Sequence, residues 1–207
     1  MHPGLGTLVQ RHRSSSWQKP EQSVDQPALK LLDNALGQHS GPVILDSFCG
    51  TGMSTAILGE RYPDCLVIGV DQSAQRLGRN ESIGENCLLL QAHCEAVWRH
   101  LTNRGQKLRQ HYLLYPNPWP KASHLGRRVH GHPAFPLLPG LGGQLELRSN
   151  WQVYVEEFGT ALHLLAYPAR IQRLREEEPD MTRFEAKYRR SGHELWSLSV
   201  KFSAPAP

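Results

Sequence analysis

Val43-Ile44-Leu45-Asp46-Ser47-Phe48-Cys49-Gly50-Thr51-Gly52 decides the fold. Val43-Ile44-Leu45 is a short apolar run, which reads as a buried parallel strand. The glycines after it let the backbone approach a ligand and start the next helix without a Cβ clash. A helical stretch follows, from about Met53 to Arg61. Upstream, Asp25-Gln26-Pro27 reads as a helix start, with a capping carboxylate and a proline in the first turn. Ala28, Leu29, Leu31, Leu32, Ala35 and Leu36 keep helical spacing, and Gly37 and Gly41-Pro42 end it. Downstream the alternation continues. Strands are predicted at Leu66 to Val70, Cys87 to Leu90, His111 to Tyr115, Gln144 to Arg148 and Ala169 to Leu174. Helices are predicted from Ser73 to about Asn80, from Ala96 to Leu101, and from Trp151 to Ala166 behind an Asn150 cap. Leu195 to Phe202 alternates apolar and polar residues, as an antiparallel strand does.

Seven strands alternating with helices imply an α/β domain over residues 25–203, a mostly parallel sheet covered on both faces. The 207 residues suit one such domain. Residues 1–24, with Arg11-His12-Arg13 and the serines after them, read as a flexible basic arm, and residues 204–207 as a loose tail. Hydrophobic residues make up 39% and charged residues 20%, which excludes a disordered chain. No apolar run reaches the ~20 residues of a membrane span, and the first sixteen residues lack a secretory apolar region. The formal net charge of +4 permits a nucleic-acid partner without requiring one. Cys49, Cys65, Cys87 and Cys94 form no Cys-x-x-Cys pair, so reduced thiols in the cytoplasm are expected. His124, His130 and His132 lie close together without a zinc-type pairing, so no metal is expected and the cluster reads as a polar, RNA-facing loop.

Ligands in such sheets bind outside the carboxyl ends of the strands. Gly50 and Gly52 lie in the first such loop. Asp71 ends the second strand about 20 residues later, where a carboxylate can take both hydroxyls of an adenosine ribose. His93-Cys94-Glu95 follows the third strand, where an adenine edge could be read. Asp46 would repel a pyrophosphate and suits a cationic ligand, such as the amino and sulfonium groups of S-adenosylmethionine. The plainer readings are a satisfied turn carboxylate for Asp46 and a helix cap for Asp71.

The fourth loop is the most telling: Tyr115-Pro116-Asn117-Pro118-Trp119-Pro120-Lys121, then His124 and Arg127-Arg128. Prolines on both sides of Asn117 fix its backbone, so its amide can be held at a transfer point. Trp119 offers a stacking face and the basic residues can contact phosphate. A rigid turn with a buried Trp is the alternative. This stretch resembles the Pro-Asp-Pro-Trp-Pro-Lys…Lys-Arg-Arg motif of bacterial tRNA (guanine-N7)-methyltransferases. Leu147-Arg148-Ser149-Asn150-Trp151-Gln152-Val153-Tyr154 resembles that family's Thr-Asp-Trp-x-x-Tyr segment. Thr182-Arg183-Phe184-Glu185, with Gly192-His193 and a final strand, is similar to its Thr-[Lys/Arg]-Phe-Glu…Gly ending.

The resemblance implies a Rossmann-like class I S-adenosylmethionine-dependent fold, a cytoplasmic enzyme and a tRNA partner, with the protein a monomer or homodimer. It implies that Asp46, Gly50, Gly52, Asp71, Glu95 and Asn117 line the cofactor site, with Asn117 at the catalytic position. Lys121, Asn150 and Thr182, Arg183, Phe184 and Glu185 would contact the guanosine; His124, Arg127 and Arg128 would touch RNA. The chain also departs from the family. Phe48 stands where a glycine is usual, and a bulky residue disfavours positive φ. Asn117 and Asn150 stand where the motifs carry aspartate. Gly126 replaces a basic residue, and the amino-terminal basic region is short. Asn150 reads equally as a plain helix cap. Two rival functions stay open: an RNA-binding paralogue of little activity, and an amino-group methyltransferase using Asn117-Pro118-Trp119.

Overall fold

The computed structural model describes residues 1–17, 19, 22–79 and 82–202. Along the chain lie α1 (Leu5–Arg13), α2 (Gln26–Gln38), β1 (Val43–Ser47), α3 (Met53–Arg61), β2 (Leu66–Asp71), α4 (Ala74–Leu77), β3 (Cys87–Gln91) and α5 (Cys94–Asn103). Then come β4 (Gln110–Leu114), three short 3-10 stretches between Ala122 and Leu137, α6 (Leu138–Leu141), β5 (Gly143–Ser149), α7 (Gln152–Leu164), β6 (Arg170–Arg173), α8 (Arg183–Arg190) and β7 (Trp196–Phe202).

β1 and β2 are buried at every position. Successive side chains point to opposite faces of a strand, so such burial requires cover on both sides. Val43, Leu45, Ile68 and Leu113 pack into one cluster with Leu29 of α2, Trp98 of α5 and Phe158 of α7. Ile44, Val67, Tyr112 and Leu114 pack with Leu58 of α3 into another. Each such aliphatic side chain contributes about 1.5–3 kcal/mol when fully buried. Gly69, mid-strand in β2, lets α3 close on the sheet: a Cβ there would stand 2.3 Å from Thr55 Oγ1.

The sheet order is β3-β2-β1-β4-β5-β7-β6. β1 to β5 are parallel, and β7 runs antiparallel between β5 and β6. This is the mostly parallel seven-stranded sheet expected. The chain leaves β3 at one edge and returns to β4 beside β1, so the crevice between β1 and β4 is the switch point at which such sheets bind ligands. A buried chain braces it: Trp98 Nε1 donates to Ser47 Oγ at 2.9 Å, and Ser47 Oγ lies 2.8 Å from His111 Nε2. Burial holds His111 down at about 3, so it is neutral.

Several local expectations are corrected. The amino-terminal segment is not a free arm, because Leu5 and Val9 stack one turn apart and are each 1% exposed, with α1 packed against α7. Asp25 makes no side-chain cap; its buried carboxylate accepts from the His93 amide at 2.9 Å and faces His93 Nδ1 at 3.0 Å. The helix after β2 is one turn, Ala74–Leu77, stopped at Gly78; Asn80 lies outside the described residues. Asn150 is not the cap of α7, since Trp151 holds that position and its amide donates to Ser149 Oγ at 3.1 Å. That helix stops at Leu164 rather than Ala166, whose φ is 70°. The expected tail at residues 204–207 also lies outside the described residues. The four cysteines are free. Among the described residues no helix is long and apolar enough to cross a membrane, and no three His, Cys, Asp or Glu side chains form a metal-holding group.

Candidate active site

The carboxyl ends of β1 to β4 open into a cavity of about 560 Å³ at the switch point. Three of the four non-glycine residues with positive φ among the described residues stand on it: Phe48 (63°), Tyr115 (55°) and Trp119 (46°). Each such conformation costs on the order of 1–3 kcal/mol and persists only where the surroundings enforce it. At Phe48 the amide donates to Cys94 Sγ at 3.3 Å, and the ring sits edge-on to Trp98 at 6.0 Å. The turn keeps the left-handed shape a glycine would give, with an aromatic ring added to the wall. Gly50 has φ 62°, and a Cβ there would meet only open space.

The acids hold this turn from behind. Asp46 is fully buried; its Oδ2 accepts from Ser54 Oγ at 2.6 Å and Thr55 Oγ1 at 2.7 Å, while Oδ1 has no hydrogen-bond partner among the described residues. Burial raises its carboxyl to about 6, although both hydroxyls pull the other way. Asp71 is 1% exposed and accepts from the Gly50 amide at 3.0 Å and the Ser73 amide at 2.8 Å. Arg76 pairs with it at 3.0 Å. Glu95, in the first turn of α5, lines the cavity directly.

The other side of the cavity is built from the loop after β4 and from α8. Asn117 Oδ1 accepts from the Trp119 amide at 3.3 Å, an Asx turn that sets the amide group between the prolines. Arg127 lies over the Trp119 ring at 4.9 Å and His124 meets its edge at 5.5 Å. A second cavity of about 270 Å³ adjoins the first and shares Arg76, Tyr115, Pro116, Asn117 and Phe184 with it. Its own walls include Asn150 and Tyr188. Phe184, 50% exposed, stacks on Tyr188 at 6.3 Å, and Tyr188 faces Tyr115 at 6.0 Å. A larger chamber and a smaller, aromatic-walled one thus meet at Asn117.

A family model described as "Putative methyltransferase" matches residues 40–198. The chain belongs to this methyltransferase family. It is 29% identical over 184 residues to the tRNA (guanine-N(7)-)-methyltransferase of Neisseria gonorrhoeae, covering 82% of this chain and 75% of that protein. It is 25% identical to the enzyme of the same name from Photorhabdus laumondii, covering 88% and 81%. Among solved structures, the antibiotic-resistance methyltransferase Kmr superposes with TM-score 0.58 at 17% identity, covering 93% of this chain and 96% of that one. The 16S rRNA (adenine(1408)-N(1))-methyltransferase from Catenulisporales acidiphilia, solved with cosubstrate SAM, gives 0.58 and 17%, covering 92% and 96%. These likenesses establish the Rossmann-like class I fold.

The methyltransferase brings some predicted residues to the cavities and keeps others away. Gly50, Glu95, Asn117, Arg127, Thr182, Arg183 and Phe184 line the larger chamber, and Asn150 the smaller. Asp46, Gly52 and Asp71 stand behind it; Gly52 takes φ 79° to start α3. Lys121 is exposed on the loop, outside both chambers. Arg128 is corrected: at 6% exposure it pairs with Glu157 instead of meeting solvent, because a buried carboxylate needs its charge balanced. Glu185 is corrected likewise. It is fully buried, accepting from Arg148 Nη1 at 2.8 Å and the Met181 amide at 3.1 Å, so it anchors α8 to β5. Arg76, Tyr188 and Glu157 went unnoticed. For α8 a signal existed: Thr182 and Glu185 have capping-box spacing, and Thr182 Oγ1 does accept from the Glu185 amide at 3.0 Å.

Proposed function

We propose that this methyltransferase transfers the methyl group of S-adenosylmethionine to N7 of a guanosine in tRNA, in the cytoplasm. The observation that carries the proposal is the meeting of two chambers at Asn117. The larger falls within the range of ligand cavities, roughly 300–1,000 Å³, and lies at the switch point. The open space beside Gly50 and the unpartnered Asp46 Oδ1 fit a polar, partly cationic nucleoside. Asp71 fits differently from the expected ribose grip: its carboxylate shapes the turn and is shared with Arg76.

The bound cofactor would supply an electrophilic methyl on a positively charged sulfur. Guanine N7 carries a free lone pair, so the protein has no proton to remove. Its work is to place N7 in line and to tolerate charge arriving on the purine. Asn117, pinned by the Trp119 amide, offers a neutral acceptor there, where a carboxylate would favour the charge more strongly. Phe184 and Tyr188 supply stacking faces for an unstacked base, as single-stranded RNA recognition requires. The arginines on the chamber wall, Arg76, Arg79, Arg127 and Arg183, outnumber its single acid Glu95 and suit the phosphates flanking that base. Support for tRNA as substrate comes from the names of the relatives.

The test incubates the protein with labelled S-adenosylmethionine and unmodified bulk tRNA, then digests to nucleosides. Label in 7-methylguanosine is expected. Label in an N-methylated amino nucleoside, or cofactor binding by calorimetry without any turnover, would overturn the proposal.

A further inference from the structure

Glu157 lies on α7, lines neither chamber and is 1% exposed. Its carboxylate gathers three donors: the Arg128 guanidinium, His130 Nε2 at 3.2 Å, and the backbone amide of His2 at 2.6 Å. Burial alone would raise this carboxyl; the hydrogen bonds from His130, His2 and Arg128 bring it down to about 2. The rest of the Arg128 guanidinium is spent on the loop. Nε donates to the Trp119 carbonyl at 3.2 Å and Nη2 to the Pro120 carbonyl at 3.4 Å. The Trp119 peptide is thereby held on both sides, its carbonyl by Arg128 and its amide by Asn117 Oδ1. It is also one of the positive-φ residues, at 46°, which needs such enforcement.

We infer that Glu157 and Arg128 form a positioning pair that fixes the Trp119 peptide and, through it, the Asn117 side chain at the point of transfer. Arg128 acts on the loop from behind and makes no contact with RNA; Arg127, exposed over Trp119, is the residue of the two that meets phosphate. The inference rests on the proposed function only for its kinetic consequence. The hold on the loop is a property of the unliganded protein.

The experiment uses the full chain with three variants: Glu157→Gln, the double variant Arg128→Met with Glu157→Met, and Arg127→Ala. Removing both charges together leaves no unpaired buried ion, so the double variant keeps the fold where a single removal risks losing it. In the first two, kcat on tRNA falls by roughly 10- to 100-fold, the scale of a small misplacement of reacting groups. Cofactor affinity and the slope of log K for tRNA against log salt stay at the wild-type value. Arg127→Ala differs in lowering that slope by about one phosphate contact. Amide exchange of the peptide covering residues 115–121, read without ligand, speeds up in the double variant. A salt slope lowered in the double variant would make Arg128 an RNA contact and overturn the inference. Unchanged exchange of residues 115–121 would overturn it too, and would do so even if the wild-type protein methylated nothing, an outcome that defeats the proposed function instead.

Discussion

At the scale of single residues, Asn117 and Asp46 each make a prediction. Asn117 accepts without charge, so Asn117→Asp places a carboxylate where positive charge arrives on the base; kcat rises, read by label incorporation into tRNA at saturating cofactor. A clear loss of rate would mean that the amide serves a different chemistry. Asp46 is raised to about 6 by burial, against an ordinary value near 3.8. A raised carboxyl favours folding fully below the ordinary value and loses that contribution as pH climbs through about 6. Asp46→Asn therefore gains stability relative to the native chain between pH 4 and 7 in denaturant titrations. Cofactor affinity has the opposite slope, because the ionised carboxylate attracts the cationic ligand: calorimetry shows tighter binding at pH 7.5 than at pH 5 in the native chain and little difference in Asp46→Asn. His111 gives a further acid limb. Its value, held down to about 3 from 6.5, means stability is lost as pH falls between those values.

Elements were legible where one residue pattern settled them. β1 followed from three apolar residues and a glycine turn, and the alternation of β7 marked an antiparallel strand. What stayed hidden had weak or ambiguous local signals. α1 follows a glycine at residue 4, carries another at residue 6 and has only two fully buried aliphatics, so its helicity comes from docking on α7, which no local pattern announces. α8 was legible as a motif but not as a helix, since its mean composition is strongly polar and only Glu185 is buried. Asp25 and Asn150 looked like caps, and tertiary partners took them: His93 for the first and His193, whose Nδ1 lies 3.5 Å from the amide nitrogen, for the second. Two predictions belong here. Val9→Asp introduces a charge into the α1 seam and costs at least about 2 kcal/mol of unfolding free energy, measured by urea titration. Thr182→Val removes the α8 cap at a cost of about 1 kcal/mol, and weakens tRNA methylation beyond that because Phe184 shifts with the helix start.

For the molecule as a whole, a cavity at the carboxyl ends of the strands was foreseen and the charges around it were not. Acids expected to touch the ligand, Asp46 and Asp71, are buried supports, while four arginines from three separate segments line the cavity. That inversion follows from topology: residues that end strands are enclosed by the sheet, whereas residues one turn into the following loops line the cavity. The central claim is that the nucleophile is the guanine N7 lone pair, and one measurement tests it without intermediaries. A tRNA transcript made with guanosine and a second made with 7-deazaguanosine, which keeps the base's shape and pairing edge but has carbon in place of N7, are offered with labelled S-adenosylmethionine. The first transcript is predicted to take up label as 7-methylguanosine and the second to take up none. Equal label in both would place the methyl elsewhere on the RNA and contradict the account.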